Sequence, residues 1–306
     1  MNIDPVYNLK DQEKIENLLV PFIVENAGNT CYIDSLLMAL FYNQTLIDRL
    51  LVKDTSDTMV IYLQEYIKEK FVNIVRKKNS VVAEDINMIR TLCFQLGWRN
   101  TGNLDDEYIN QQDVNEFYIF LMEMFQNEQI ETVRKTILEG DTTANIGNKE
   151  RLPFIPLSLP ISDTPITIKQ MLHGWIYDNV IDFKKESENP GNMIKGLNTH
   201  QITNTPYLIA LSINRFTNSG VRINTNVIIQ KKICVNDSDW TFHAAICHRG
   251  NSLKSGHYYT FLSTNTTSWY VFDDLETPCL QEVKMDNPEV VNMFKKESVF
   301  LIYRLI

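Results

Sequence analysis

Cysteine is scarce in this sequence and poorly spaced for metal or crosslinks. Five occur, at 31, 93, 234, 247 and 279, and no two form a CxxC pair. That pattern excludes a zinc ribbon and a disulfide framework and points to a reducing compartment. Long apolar runs are missing too, since nothing approaches the roughly 20 residues of a membrane-crossing helix. The opening stretch "MNIDPVYNLKDQEKIENLLVPF" has neither the basic start nor the apolar centre of a secretory signal. The expected place is the cytoplasm, with the nucleus also open. Basic residues are outnumbered, 29 Lys and Arg against 38 Asp and Glu, for a net charge of −9 and a pI near 5.1. Such a surface does not wrap nucleic acid but suits a partner with a basic surface or tail. Histidine is limited to 173, 200, 243, 248 and 257, so any imidazole chemistry comes from that short set.

What is present is ordinary for a globular chain: 306 residues, 44% hydrophobic and 22% charged, enough to bury a substantial core. Richness in Asn, Ile and Lys fits an AT-rich genome, such as that of a large DNA virus or an intracellular parasite. Ile33, Leu36, Leu37, Leu40 and Phe41 recur at helical spacing. Further helices are expected over "TMVIYLQEYIKEKFVNIVRK", over "AEDINMIRTLCFQLG" to a stop at Gly97, and over "DVNEFYIFLMEMF". "LEGDTTANIGNKE" reads as an exposed loop. From about Arg151 the pattern becomes strand-like: "RLPFIPLSLPI", "YLIALSINRF", "VRINTNVIIQKKICV", "FHAAICHRG", "HYYTFLST", "WYVFDD" and "VFLIYRLI", interrupted by one short helix, "TIKQMLHGWIYDN". The fold class is therefore α+β, helices first and an antiparallel sheet after.

Cys31 follows "GNT" at the start of the first helix, where unpaired N–H groups and the helix dipole favour a thiolate. Asn29 or Thr30 can cap that helix, and Gly28 eases the sharp turn. A buried structural thiol is the plain alternative. A thiol nucleophile needs an imidazole and a group to orient it. His173 falls on the short helix and His200 in a polar loop, both reading as surface. His257 follows Gly256 and begins the strand "HYYTFL", which "SWYVFDD" answers. If these strands form a hairpin, Asp273 can meet His257.

Together, "NAGNTCYIDSLL", "QQDVNEF", "GHYYTF" and "WYVFDD" resemble the signature boxes of the ubiquitin-specific proteases, the papain-like cysteine deubiquitinases. "LSLP" at 157–160, "LSINRF" at 211–216, "HRG" at 248–250 and the closing "VFLIYR" agree in order. The resemblance runs from about Ile23 to Arg304. It implies one catalytic domain over 1–306 with a papain-like fold, a helical thumb over 1–140 and a β-rich palm over 151–306. It further implies Cys31 as nucleophile, His257 as general base and acid, Asp273 as the residue orienting its ring, and Asp274 as a reserve beside it. Asn26 matches the amide that completes the oxyanion hole; its bland reading is a turn former. Asp113 and Glu116 match the acidic pair that receives the arginines of the ubiquitin tail, with Gln112 against the tail backbone. Without the resemblance these are a solvated helix face. Tyr258 matches a wall of the glycine tunnel, or else is a core tyrosine. His248 takes a supporting place by the cleft, and "HRGNSLKSGH" matches a loop over it, with Gly250 and Gly256 as hinges.

The sequence departs from the family pattern at several points. Asp34 stands where Asn is usual, and a carboxylate there opposes a nearby thiolate unless it is paired. Met38 replaces the usual Gln. The missing CxxC pairs imply reduced, metal-free fingers and no cofactor. The implied partner is ubiquitin or a ubiquitinated protein, with the enzyme a monomer bound to neither nucleic acid nor membrane. A non-catalytic ubiquitin-binding module on the same fold and a hydrolase of another ubiquitin-like modifier remain the alternatives.

Overall fold

The computed structural model describes residues 21–99, 110–139, 144–184, 193–252, 255–264 and 268–306. Helix α1 (Cys31–Phe41) has every residue buried, Asp34 and Ser35 among a predominantly apolar set. Its C-terminal end is sealed by Arg76, which donates to the Phe41 carbonyl and pairs with Asp48 at 2.8 Å. Carbonyls left over at a buried helix end thereby find partners. Helix α2 (Thr58–Ile67) starts on Asp57, whose carboxylate accepts the Met59 and Val60 N–H groups, and continues through a π turn at Lys68–Val72 to Arg76. Helix α3 (Ala83–Gln95) is followed by Gly97 at φ 101°, a stop that suits glycine. Helix α4 (Val114–Met124) is capped by Asp113. The four expected helices of this half are therefore present.

The strands are β1 (Ile130–Leu138), β2 (Asn145–Leu152), β3 (Ile155–Ser158), β4 (Ile166–Thr167), β5 (Tyr177–Lys184), β6 (Met193–Ile202), β7 (Leu208–Asn214), β8 (Val227–Ile228), β9 (Lys232–Val235), β10 (Ser238–Ser252), β11 (Ser255–Ser263), β12 (Trp269–Phe272), β13 (Leu280–Val283) and β14 (Ser298–Leu305). Helix α5 (Ile168–Ile176) lies between β4 and β5, and α6 (Pro288–Glu297) precedes β14. The main sheet runs β13-β12-β11-β10-β14-β7-β3, with β9 beside β10, and is antiparallel except for β3 against β7. Its period-two side chains divide between two cores. Leu208, Ala210, Ala244, Ile246, Phe300 and Ile302 face the helical half. Their neighbours Ile209, Leu211, Ala245, Cys247, Leu301 and Tyr303 face α5 and α6. A sheet buried on both faces forms a rigid floor on which the end of β10, the start of β11 and the end of β12 are held side by side.

A second sheet runs β2-β1-β6-β5, with Ile130 of β1 and Ile202 of β6 joining the second core. It corrects three readings. "LEGDTTANIGNKE" is not a loop throughout, because residues 145–150 belong to β2 and pair with β1. His200 is not in a loop either; it lies on β6 opposite Arg134, stacked on Trp175. The segment at 130–138, within the half expected to be mainly helical, is strand β1. Helix α6 also went unread, though Asn287 caps it and Pro288 opens it. All five cysteines are free, with only Cys234 exposed. No helix among the described residues is long and apolar enough to cross a membrane.

Candidate active site

The approach to Cys31 is a turn with two consecutive left-handed residues, Gly28 at φ 83° and Asn29 at φ 57°. Arg90 steadies it by donating to the carbonyls of Gly28 (2.8 Å) and Ala27 (3.2 Å). Thr30 takes the N-cap position, but its hydroxyl does not cap. It accepts from the Ala27 N–H (3.0 Å) and donates to Asp34 (2.9 Å). The Ile33 and Asp34 N–H groups donate to the Thr30 carbonyl at 2.8 and 3.0 Å, and within the first turn it is the Tyr32 N–H that turns to the sulfur. Cys31 is 4% exposed. Burial pushes its thiol up to about 12; the carboxyls of Asp274 and Asp34 add to this, while the Tyr258 and Tyr32 backbone N–H groups oppose it. Both thiols are raised, but Cys234 is exposed whereas Cys31 is buried and pushed up to about 12, so iodoacetamide should label Cys234 before Cys31 at pH 7. Cys31 labelling should then accelerate about tenfold per pH unit up to pH 10. Peptide mass mapping reads this directly, and a Cys31 labelled first at pH 7 contradicts it.

Strand β11 presents His257 and β12 ends one residue before Asp273. His257 Nε2 donates to Asp273 Oδ1 at 2.6 Å, and the Leu275 N–H reaches the same oxygen at 3.1 Å. Burial alone would raise Asp273, but the His257 hydrogen bond and charge, the Leu275 N–H and Arg249 outweigh it and hold the carboxyl below its ordinary range. With Nε2 committed, Nδ1 is the ring nitrogen left to serve a sulfur. Asp274 Oδ1 lies 3.6 Å from Nε2, and Asp274 Oδ2 accepts from Asn26 Nδ2 at 2.6 Å. Asn26 Oδ1 accepts the Gly28 N–H at 2.8 Å, so the amide is held at both ends. Donor atoms of His257, Asp273 and Asp274 fall within 4.8 Å of one another, close enough to suggest a cation. The hydrogen bond occupying Nε2 makes an orienting chain the better reading.

Two contacts join the halves of the site. The Thr260 hydroxyl donates to the Ser35 carbonyl at 2.9 Å, pinning β11 to α1 across 225 residues of chain. Gln111 approaches Cys31 Sγ with its Nε2 at 4.0 Å while its Oε1 accepts the Gly256 N–H at 3.0 Å. Gln111 was not among the expected residues, although it opens the quoted "QQDVNEF". Its neighbour Gln112 instead turns its amide toward the Asn110 carbonyl at 3.3 Å.

On the far side of the cleft, Asp113 and Glu116 share the first turn of α4. Asp113 Oδ1 accepts the N–H groups of Asn115 (2.7 Å) and Glu116 (3.2 Å), so one oxygen is engaged as a cap. Exposed Glu116 forms an ion pair with Arg99. Asp113, His248, Tyr258, Phe216 and Asn214 line a cavity of about 120 Å³. Tyr258 is buried there, its ring 4.7 Å from that of His248. Burial and then Arg222 push His248 down to about 4, so it is neutral. Arg222 also donates to the Gly250 and His248 carbonyls at 2.6 and 2.8 Å. Nothing in the sequence singles it out. The lid reading of "HRGNSLKSGH" meets a ladder, with Arg249 opposite His257 and Ser252 opposite Ser255; residues 253 and 254 lie outside the described ones. Gly256 serves close approach, because a Cβ there would meet His248 Nε2 at 2.3 Å. His243 is buried behind α1, with the Leu40 and Ala39 backbone beside it.

Helices that carry a buried thiol, packed on an antiparallel sheet that holds an imidazole–carboxylate pair and turns the next residue's N–H to that sulfur, define a papain-like cysteine hydrolase architecture. Residues 24–303 match the family model described as ubiquitin carboxyl-terminal hydrolase, and the chain belongs to that family. Among curated relatives, ubiquitin carboxyl-terminal hydrolase 23 of Arabidopsis thaliana is 20% identical over 89% of this chain and 35% of its own length. Ubiquitin carboxyl-terminal hydrolase 8 of Saccharomyces cerevisiae is 21% identical over 81% of this chain and 64% of its own. The chain thus spans only about a third to two thirds of those relatives. Among solved structures, the SAGA DUB module Ubp8/Sgf11/Sus1/Sgf73 bound to monoubiquitin superposes with a TM-score of 0.67 at 15% identity, covering 94% of this chain and 69% of the other. The same module bound to ubiquitin aldehyde gives 0.68 at 14% identity, covering 94% and 70%. At such identities the likeness establishes the fold.

Proposed function

We propose that the chain is a thiol-dependent deubiquitinase, hydrolysing the isopeptide or peptide bond after the C-terminal glycine of ubiquitin. The observation that carries this reading is the 2.6 Å bond from His257 Nε2 to Asp273, on the strand whose next residue turns its N–H to Cys31. His257 Nδ1 takes the Cys31 proton, and the sulfur attacks the terminal carbonyl carbon. The oxyanion forms beside the Asn26 amide and the Cys31 backbone N–H. His257 then protonates the leaving amine, and water, activated by the same ring, cleaves the thioester. Asp273 holds the ring throughout. Asp113, Glu116 and Gln112 receive the tail, Tyr258 walls its glycines, and His248 packs against Tyr258 as a neutral support. The Glu116–Arg99 pair supports the assignment of Glu116, because a guanidinium already occupies the place proposed for a tail arginine.

The test is ubiquitin bearing a C-terminal electrophile, read by intact mass. The wild-type chain gains one ubiquitin, and Cys31→Ala gains none. Folded protein that neither forms the adduct nor cleaves a ubiquitin amide overturns the proposal and leaves a binding module on this fold. Glu116→Lys should raise KM about tenfold or more while kcat changes little, since the lost contact lies far from the reacting bond. Equal loss in kcat would remove Glu116 from tail binding.

A further inference from the structure

Asp34 is the polar residue of α1 that the mechanism leaves unused. It is 0% exposed, one turn beyond Cys31. Its Oδ2 accepts from the Thr30 hydroxyl at 2.9 Å. Its Oδ1 is buried and receives no N–H or O–H from any described residue; the same is true of Asp274 Oδ1. The second oxygen of Asp274 is taken by Asn26. The two carboxyls interact directly, a side-chain hydrogen bond between them being among the causes that shift both, and each has its Oδ2 engaged elsewhere. Two acceptors meeting in a dry site repel unless a proton lies between them. We propose that Asp34 is a positioning residue, a carboxylic acid that shares one proton with Asp274 and thereby fixes Asn26 toward the developing oxyanion. The rate effects expected below rest on the deubiquitinase reading; the shared proton does not.

The surroundings agree. The groups around Asp34 are Thr30, Cys31, Tyr32, Arg90, Cys279 and Asp274. Arg90 alone among them is cationic, and it donates to the carbonyls of Ala27 and Gly28 and to Asn87. Burial and then the Asp274 charge favour the neutral form of Asp34, and Thr30 and Arg90 only partly oppose them. Burial holds Asp274 above its ordinary range too, and Asp273 adds to this, but the His257 charge and the hydrogen bonds with Asp34 and Asn26 pull it toward the ionised form, which nothing as strong does for fully buried Asp34. The proton therefore sits on Asp34, and Asp274 carries the charge. An Asp acting in this way does the work of an amide donor, which explains how a carboxyl tolerates the place where Asn is usual.

Stability against pH tests the proton without any turnover. An unfolded Asp ionises near 3.9, whereas folded Asp34 keeps its proton to higher pH. The native state then binds more protons, so the wild type loses stability as pH rises above about 4. Asp34→Asn keeps both hydrogen bonds and has no proton to lose. Its thermal midpoint should rise relative to wild type by about 2–5 °C between pH 4 and 8. A gap that stays constant, or opens in the opposite sense, overturns the shared proton.

Turnover of a ubiquitin C-terminal amide tests the positioning. At pH 7, Asp34→Asn should stay within about threefold of wild type. Asp34→Ala should lose about 10–100-fold in kcat with KM little changed. It should add nothing to Asn26→Ala, because both act on one donor. Equal rates for the Asn and Ala variants, or additive loss with Asn26→Ala, overturn the role. If no variant turns over while the pH-dependent gap still opens, the positioning role falls with the deubiquitinase reading and the shared proton stands.

Discussion

Replacing Cys31 with alanine should lower turnover of a ubiquitin C-terminal amide by at least ~10⁴-fold, and His257→Ala should cost nearly as much. KM should move by no more than about threefold in either variant, since neither side chain grips ubiquitin's body or tail. Their effects should not add, because the imidazole has no proton to take once the sulfur is gone. Stability separates chemistry from collapse. Cys31 sits at the edge of the core, and trimming its sulfur leaves a small void costing about 1 kcal/mol, equivalent to a few degrees in thermal midpoint. Parallel rate and melting measurements decide the matter. A folded Cys31→Ala protein retaining more than about a hundredth of wild-type turnover removes Cys31 as the nucleophile.

The helices of the first half were legible because their cores are local. Ile33, Leu36, Leu37 and Leu40 repeat along one stretch, and Gly97 marks a stop where the backbone turns left-handed. The second sheet was not legible, for a physical reason. Seven of the eight residues of β2 are exposed, so no alternation marks it as a strand. It is held by backbone pairing to β1, which pairs in turn with β6, with Thr132 opposite Ile202. Such strands owe their order to partners distant in the sequence, and a single window cannot show them. Helix α6 carried its signals in Asn287, Pro288 and the closing Lys295 and Lys296, but it fully buries only Phe294, and its apolar stripe is short, with Val290 and Met293 partly buried beside it.

The candidate site divides along the same line. Cys31 was visible because it opens a helix, His257 because it stands near the start of a strand behind a glycine, and Asp273 because it directly follows one. Asn26, Asp113 and Glu116 needed the ordered boxes to stand out. Gln111 and Arg222 had no signal of their own, since what they do is cross between elements. Gln111 spans from α1 to β11, and Arg222 ties down the end of β10. Asp34 was visible only as an anomaly; the carboxyl that answers it lies on the opposite half of the fold.

Removing the orienting carboxylates should give the second large effect, and one that depends on the order of removal. Asp273→Ala deletes the acceptor of the 2.6 Å bond from His257 Nε2, yet leaves Asp274 Oδ1 at 3.6 Å from the same nitrogen. A small ring rotation restores a hydrogen bond to that second carboxylate, so Asp273→Ala should lose about 10²-fold in kcat, less than loss of the imidazole. Asp274→Ala keeps the Asp273 bond but releases the Asn26 amide, and the loss of an oriented oxyanion donor also costs about 10²-fold. With both gone, the imidazole has neither acceptor and the amide has no anchor. The double variant should then approach the ~10⁴-fold loss of His257→Ala. Asp273→Asn should fall closest to wild type, because its side-chain oxygen still accepts from Nε2–H. A double-mutant cycle on kcat, with ubiquitin-probe adduct formation measured alongside, settles which carboxylate orients the ring. If Asp274→Ala alone falls to the ~10⁴-fold loss of His257→Ala, or if Asp273→Ala is without effect, the roles given to the two carboxylates are exchanged.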